Sequence, residues 1–358
     1  PVTLLIAAYN EEATIARKLD NSLQLDYPSE KLQILVAADG SDDRTADIVA
    51  DSANRGAELN YSPERCGKMA AINRAMPRVR GEIVVFSDAN NMYGPQVIRE
   101  LIAPFSDNKV GATTGAKTIA EDERGLSGSE GLYWNYESFI KKQETRLGSC
   151  TAVAGEIFSI RRSLFVPPPS HIINDDFYMA ADLIHRGFNV IYVPGARSVE
   201  SVSASAQDEI IRRTRINAGR YQILALATRL LPWRRPLVAW QVISHKYLRL
   251  LVPFAMIGAM LMNLAALIGP TDPAGFPIQN PLLALAPPYG LILLSLQILF
   301  YVVAMIGSRV SVHGLPGKLL YLPTFLVNSN LAALAGFYLY LTGKQTHLWQ
   351  RVKRGDSQ

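Results

Sequence analysis

The sequence predicts an α/β domain with a mostly parallel sheet, then a basic interfacial helical segment, then C-terminal transmembrane helices. Three observations carry that prediction. Short apolar runs alternate with stretches of helical spacing through the first half of the 358 residues. The residues that follow those runs are polar and acidic. From about Leu250 onward, long uncharged apolar windows take over. The expected organisation is an α/β domain over 1–204, an interfacial segment over 205–249, about three hydrophobic spans within 250–343, and a basic tail over 344–358.

Residues 4–8, 32–38 and 83–87 read as strands, because each is a short, largely apolar run bounded by turn residues, and 57–61 reads as a further short strand. Between them, 11–25, 43–52 and 68–76 show helical spacing. Strands alternating with helices argue for a parallel sheet covered on both faces, and ligands of such sheets sit beyond the carboxyl ends of the strands. There the sequence turns polar: Tyr9-Asn10-Glu11-Glu12 after the first strand, Asp39-Gly40-Ser41-Asp42-Asp43 after the second, Asp88 and Asn90 after 83–86. Neither a Gly-x-Gly-x-x-Gly fingerprint nor a Walker loop follows the first strand, which argues against a dinucleotide or P-loop site. Carboxylates alone would repel a phosphate. Acidic strand ends therefore point to Mg2+ or Mn2+ bridging to a phosphorylated ligand, with Lys68 as a further neutralising charge.

The membrane reading rests on 250–268, 282–307 and 319–343, each near the roughly 20 residues a span needs. Arg234, Arg235, Lys246 and Arg249 precede the first window, the link 269–282 has no Lys or Arg, and the next link holds Arg309 and Lys318. By the positive-inside rule the α/β domain is cytoplasmic. Three crossings would put Lys344, Arg351, Lys353 and Arg354 outside, against the rule. The third window, with Pro323, Asn328 and Asn330, is therefore expected to be bent, re-entrant or packed on protein. Ahead of the windows, 208–235 carries Arg212, Arg213, Arg215, Arg220 and Arg229, turns apolar at 223–226 and reaches Trp233. It reads as a helix on the membrane surface. The net charge of +5 thus points to a membrane surface and not to nucleic acid. Cys66 and Cys150 match no metal spacing and suit a reducing compartment. The chain starts at Pro1 inside a strand-like run, so an upstream segment is expected.

"LLIAAYNEEATI", "VAADGSDDRT", "CGKMAAIN" and "FSDANNMY", followed by "AVAGEIFSIRRSLF" and "INDDFYMAADLIHRGFNVIYVP", together resemble family 2 glycosyltransferases of the GT-A fold. With the basic segment and apolar windows, the architecture is similar to the membrane-bound polysaccharide synthases, the group of hyaluronan, chitin, cellulose and poly-N-acetylglucosamine synthases. The resemblance implies a UDP-sugar donor and a growing polysaccharide or lipid-linked acceptor. It makes Asp39 a base contact and matches Asp88-Ala89-Asn90 to the Asp-x-Asp motif, so that Asp88 and Asn90 hold the metal. Asn in place of the second Asp brings an oxygen without charge. Ala8, Tyr9, Glu11, Lys68, Arg212 and Arg215 join Asp39 and Asp88 in the donor-binding set. Asp176, just ahead of a helix expected over 177–186, is implied as catalytic base, and Gly155, Glu156 and Asp175 face the acceptor. Arg212-Arg213-Thr214-Arg215-Ile216 stands where the synthases carry Gln-x-x-Arg-Trp. Ile216 replaces the acceptor-holding Trp, which weighs against a long polymer.

The implied reaction is an inverting displacement needing one general base and no covalent intermediate. Duller roles compete. Asp175 and Asp43 also suit helix capping, and Lys68 suits a solvated helix start. Arg212 and Arg213 suit lipid head groups, Trp134 suits packing as well as it suits lining an acceptor groove, and His185 reads as structural. A single-addition glycolipid transferase and a catalytically silent scaffold of the same fold remain the alternatives. The expected location is a bacterial inner or plasma membrane.

Overall fold

The computed structural model describes residues 1–119, 127–200, 206–268, 289–310, 314–345 and 348. The link 269–282, the start of the second apolar window, and Arg351, Lys353 and Arg354 of the tail lie outside them, as does the side chain of Trp134.

In chain order the α/β body runs β1 (Val2–Ala8), α1 (Glu12–Leu23), β2 (Leu32–Asp39), α2 (Thr45–Asp51), β3 (Ala57–Ser62), α3 (Lys68–Ala75), β4 (Ile83–Asp88), β5 (Asn91–Tyr93), α4 (Val97–Ile102), β6 (Val110–Ile119), α5 (Ser127–Arg146), β7 (Phe158–Arg161), α6 (Asp175–His185) and β8 (Asn189–Glu200). One sheet has the order β3-β2-β1-β4-β7-β6-β8-β5. The pairs β1–β2, β1–β4, β2–β3 and β6–β8 are parallel, while β4–β7, β6–β7 and β5–β8 are antiparallel. The mostly parallel sheet read from the sequence is therefore present.

β1 is apolar and buried along its whole length because both faces are covered. Side chains alternate across a strand, so Leu4 and Ile6 pack with Ile15 and Leu19 of α1 in one cluster. Leu5 packs with Met69 and Ile72 of α3 in the other. Since β1 to β4 run parallel, their carboxyl ends share one edge. The register sets Ala7 beside Asp88, Ala8 beside Ala38 and Asp39 beside Ser62. That edge gathers the polar strand ends.

Two helix starts differ from expectation. α2 begins at Thr45, because Asp43 accepts the Thr45 N–H at 2.9 Å and the Glu12 N–H at 3.1 Å. Asp43 thus organises this turn, but the N-cap position it was read to fill is taken by Arg44. α6 begins at Asp175, not at Phe177, so Asp176 does not precede the helix but lies in its first turn. Asn174 makes no side-chain cap; its amide donates to the Ile216 carbonyl at 2.9 Å. The two carboxylates occupy the end that favours negative charge.

Beyond the sheet come α7 (Ala206–Ala225), α8 (Ala227–Leu230), α9 (Pro236–Val242), a π-helical turn (Ile243–Tyr247), α10 (Leu248–Ile268), α11 (Tyr289–Gly307) and α12 (Gly314–Thr342). Three stretches are long and apolar enough to cross a membrane: Pro236–Ala265, Tyr289–Gly307 and Leu322–Thr342. Only 11%, 11% and 17% of their apolar windows are buried inside the protein, so core helices of a water-soluble protein do not describe them. The first starts at Pro236, earlier than the window at 250, because α9 and the π turn, which holds Lys246, run on without a break into α10, whose second residue is Arg249. Of the three expectations for the last window, packing on protein is met. α12 is one 29-residue helix, with Phe337 against Tyr221 at 5.1 Å and Arg213 over Phe325 at 5.2 Å.

Candidate functional site

A cavity of about 340 Å³ opens between the strand edge, the start of α6, the face of α7 and the π turn. Lys68, Asp88, Gly155, Glu156, Asp175, Asp176, Arg212 and Arg215, all singled out from sequence, line it together. Ala8, Tyr9, Glu11, Asp39 and Asn90 do not; they lie along the neighbouring strand ends.

Lys68 opens α3 directly after Gly67, whose φ of 96° suits glycine. Its ammonium bonds Asp88 Oδ1 at 2.7 Å and lies 3.7 Å from Asp175 Oδ2. It therefore ties the end of β4 to the start of α6. Burial alone would lower its pKa, but Asp175 and Asp88 outweigh burial and raise it. A solvated helix start does not describe this residue.

Asp39 is buried, accepting the N–H groups of Cys66 at 3.0 Å and Gly67 at 2.6 Å and a long Arg74 bond at 3.3 Å. It thus fixes the turn that aims Lys68. Tyr9 lies beneath the Arg65 guanidinium, 3.9 Å from its ring centroid. Ala8 is the buried last residue of β1. Glu11 donates its N–H to Thr45 Oγ1 at 2.7 Å and accepts from Thr14 Oγ1 at 2.6 Å, joining the starts of α1 and α2.

Asn90 Oδ1 is buried and makes no hydrogen bond. A buried carbonyl oxygen without a donor is costly. Beside a carboxylate two residues earlier it suits a hard divalent cation, which takes such oxygens together with those of a phosphate. The donor set therefore fits the implied metal. Among the described residues no cluster of three His, Cys, Asp or Glu side chains forms a cage.

Asp176 sits against Gly155. A Cβ added there would lie 3.1 Å from Asp176 Cβ and 3.3 Å from its Oδ2. The Phe177 N–H donates to Oδ1 at 2.7 Å, while Oδ2 makes no hydrogen bond among the described residues. Burial, and then the charge of Asp175, push its pKa up to about 6. Nearby, burial would raise Glu156, yet the Lys117 ammonium at 3.4 Å prevails and its pKa falls. Lys117 also pairs with Glu200. Tyr93 Oη lies 2.6 Å from the Glu156 carbonyl, joining the Gly155–Glu156 loop to β5.

α7 is clamped from both sides. Asn174 reaches the Ile216 carbonyl, and Ile173 N–H donates to Gln222 at 3.1 Å. A Cβ at Gly219 would come within 2.7 Å of the Asn174 side chain. On the membrane side a Cβ at Gly336 of α12 would come within 2.8 Å of the Ala218 backbone. These contacts hold Arg212, Arg215 and Ile216 at the cavity wall. Arg213 is turned away, donating to Ser329 of α12 at 3.3 Å. His185 meets the Leu231 carbonyl at 3.0 Å, a structural role.

As site residues the sequence reading missed Lys18, Lys117, Lys141, Glu200, Lys246 and Arg249, of which it took the last two only as charges flanking the first apolar window. Lys18 is wholly buried behind the strand edge, donating to the Asn91 carbonyl at 2.6 Å under the Tyr93 ring. The other five line the cavity. Their helical or strand spacing resembles an ordinary solvated face, so no local signal marks them.

Comparison with known proteins places this geometry. Residues 1–217 match the sequence model of glycosyltransferase like family 2. The beta-monoglucosyldiacylglycerol synthase of Trichormus variabilis is 28% identical over 166 residues, 45% of this chain and 36% of the relative. The poly-beta-1,6-N-acetyl-D-glucosamine synthase of Staphylococcus aureus is 28% identical over 199 residues, 54% of this chain and 48% of the relative. The chain thus spans half or less of the curated relatives it matches. The solved mannosyltransferase of Pyrobaculum calidifontis, in complex with GDP-Man and Mn2+, superimposes with a TM-score of 0.71 at 23% identity, covering 96% of this chain and 87% of that one. It shares the fold over nearly the whole chain. Since the matched model covers well over half of its residues, the chain belongs to glycosyltransferase like family 2.

Proposed function

We propose that this chain is a membrane-bound, metal-dependent, inverting glycosyltransferase. It moves a sugar from a UDP-sugar to a growing polysaccharide or a lipid-linked acceptor, with its α/β body on the cytoplasmic side. One observation carries the reading: Asp88, Lys68, Asp176, Gly155 and Arg215 meet in a single cavity beside the membrane helices. The relatives that make a glycolipid and a polysaccharide support the acceptor class.

The chemistry follows from the atoms. The acceptor hydroxyl gives its proton to Asp176 Oδ2, the oxygen that Phe177 leaves open, and a base of pKa about 6 is ionised and still basic at neutral pH. The hydroxyl oxygen bonds to the anomeric carbon from the face opposite the diphosphate. The bond to the diphosphate breaks, its electron pair leaves with the phosphate, and the configuration inverts. Lys68, Arg212 and Arg215 meet the charge that develops there. A divalent cation, Mg2+ or Mn2+, held through Asp88 and Asn90, would supply further neutralisation of the diphosphate. Ile216 gives the cavity an aliphatic wall in place of an aromatic platform, which supports a short or lipid-linked acceptor over a long glycan.

The test is nucleoside diphosphate release by the purified, detergent-solubilised protein. The panel is UDP-glucose, UDP-N-acetylglucosamine and GDP-mannose, each with Mn2+, Mg2+ or EDTA. Release from a UDP-sugar that EDTA abolishes is expected. Release unaffected by EDTA, or from no donor while the protein stays folded, contradicts the reading, and product length separates polymer from single addition.

A further inference from the structure

The cavity has a second half that the transfer chemistry leaves unused. Lys141 of α5 and Lys246 of the π turn line it. Lys141 is only 6% exposed. Its ammonium lies 5.3 Å from the Tyr192 ring centroid, and that of Lys246 lies 5.6 Å from the Phe177 ring centroid. Among the described residues neither ammonium is paired with a carboxylate or makes a hydrogen bond. The nearby carboxylates are engaged elsewhere. Glu144 holds Thr151 and His245, and Glu137 pairs with Arg249 at 3.1 Å. An ammonium that is buried, as Lys141 is, or half-buried, as Lys246 is, is unfavourable when left without an anion. Two of them on one cavity wall mark a place built for an anion that arrives with a ligand.

The direction of arrival is set by the surroundings. A smaller cavity of about 150 Å³ shares Lys246 and Arg249 and leads past Tyr136 and Ser244. Trp240, 61% exposed, lies one and a half turns before Lys246 on the same helical run, and exposed Leu248, Leu251 and Val252 follow directly after it. Lys246 therefore sits where the helical run passes from an aromatic, polar margin into lipid-facing residues, the level of phosphate head groups. The donor diphosphate has its own cations at the other end, where Lys68 bridges Asp88 and Asp175.

We propose that the membrane-side arm of the cavity, walled by Lys141 and Lys246, is a phosphate-binding subsite for a lipid-linked acceptor. The proposal rests on the transferase reading and narrows its acceptor to a lipid bearing a phosphate or diphosphate. In this arrangement the phosphate anchors the acceptor, and the hydroxyl to be glycosylated reaches toward Asp176.

The test uses the full chain in dodecyl maltoside. Calorimetry gives dissociation constants for UDP, a prenyl phosphate, the prenol of the same chain length and inorganic phosphate, with the wild type, Lys141→Met and Lys141→Arg. The prenyl phosphate is expected to bind about tenfold or more tighter than the prenol, as a charge-assisted contact implies. Lys141→Met removes that preference, Lys141→Arg keeps it, and the prenyl phosphate loses far more affinity than UDP. Equal binding of prenyl phosphate and prenol by the wild type overturns the proposal. So does a loss for UDP in Lys141→Met as large as that for the prenyl phosphate, which would assign the lysine to the donor. Inorganic phosphate binding as tightly as the prenyl phosphate would mean a free-anion site and also overturns it. UDP binding by the wild type leaves the transferase reading intact in each of these cases, whereas wild-type protein that binds no UDP sinks both.

Discussion

The strand-edge half of the cavity and its helix-built half are made in different ways. The strand edge holds Asp88 and, through Asp39 and Gly67, Lys68. Parallel strands pinned by a continuous ladder fix these positions within one sheet. The other half takes Asp176 from α6, Arg215 from α7, Lys141 from α5 and Lys246 from the π turn, and only tertiary packing brings these helices together. Close approaches at Gly219 and Gly336 hold α7 between Asn174, just ahead of α6, and α12. The difference teaches that chemistry at the strand edge should resist changes in the membrane helices, whereas the seat of Arg215 and the acceptor side should not.

The largest expected effect removes the base at the junction of the halves. Asp176→Asn should lower sugar transfer by about 10²–10⁴-fold, the usual contribution of a positioned base, with nucleotide affinity nearly unchanged. Loss of nucleotide affinity instead would make Asp176 a donor contact. Next comes pH. With the Asp176 pKa raised to about 6, the ionised base is lost as pH falls through that value, so transfer should drop about tenfold for each unit below it. An ordinary aspartate would stay active down to about 4, and an acidic limb there in a pH–rate profile would refute the buried-pair account.

Gly336→Leu probes the coupling. A side chain there meets the α7 backbone and should cost about 1–3 kcal/mol of stability by overpacking. Through the displaced Arg215 it should also raise the KM for donor. A changed thermal midpoint with donor KM untouched would show that α7 is not the link. Smallest is Gly155→Ala. Its Cβ would press on Asp176 at 3.1–3.3 Å, and kcat should fall a few-fold while nucleotide affinity holds; an equal fall in nucleotide affinity would argue against an acceptor-side role.

Legibility follows the same division. Asp39, Asp88 and Lys68 could be read because parallel strands must end on a common edge, so polar residues after successive apolar runs converge whatever the details. The three apolar windows could be read from length and charge alone. Lys141 and Lys246 could not, because a lysine at helical spacing looks like a solvated face until the helix that covers it is known. Asp176 could be singled out, but its place inside α6 could not, because the helix start depends on Asn174 turning to Ile216, 42 residues away. Asp43 was legible as a turn-maker because its partner Thr45 is two residues on.

The most direct test is a single-turnover comparison of wild-type and Asp176→Asn protein, with saturating UDP-sugar, Mn2+ and a prenyl diphosphate-linked sugar as acceptor, which carries both the phosphate and a free hydroxyl. Bound nucleotide and transferred sugar are measured on the same sample. The account predicts equal nucleotide binding, sugar transferred by the wild type with inverted anomeric configuration, and transfer in the variant at least about 100-fold slower. Retained configuration, or equal transfer by the two proteins, would contradict it.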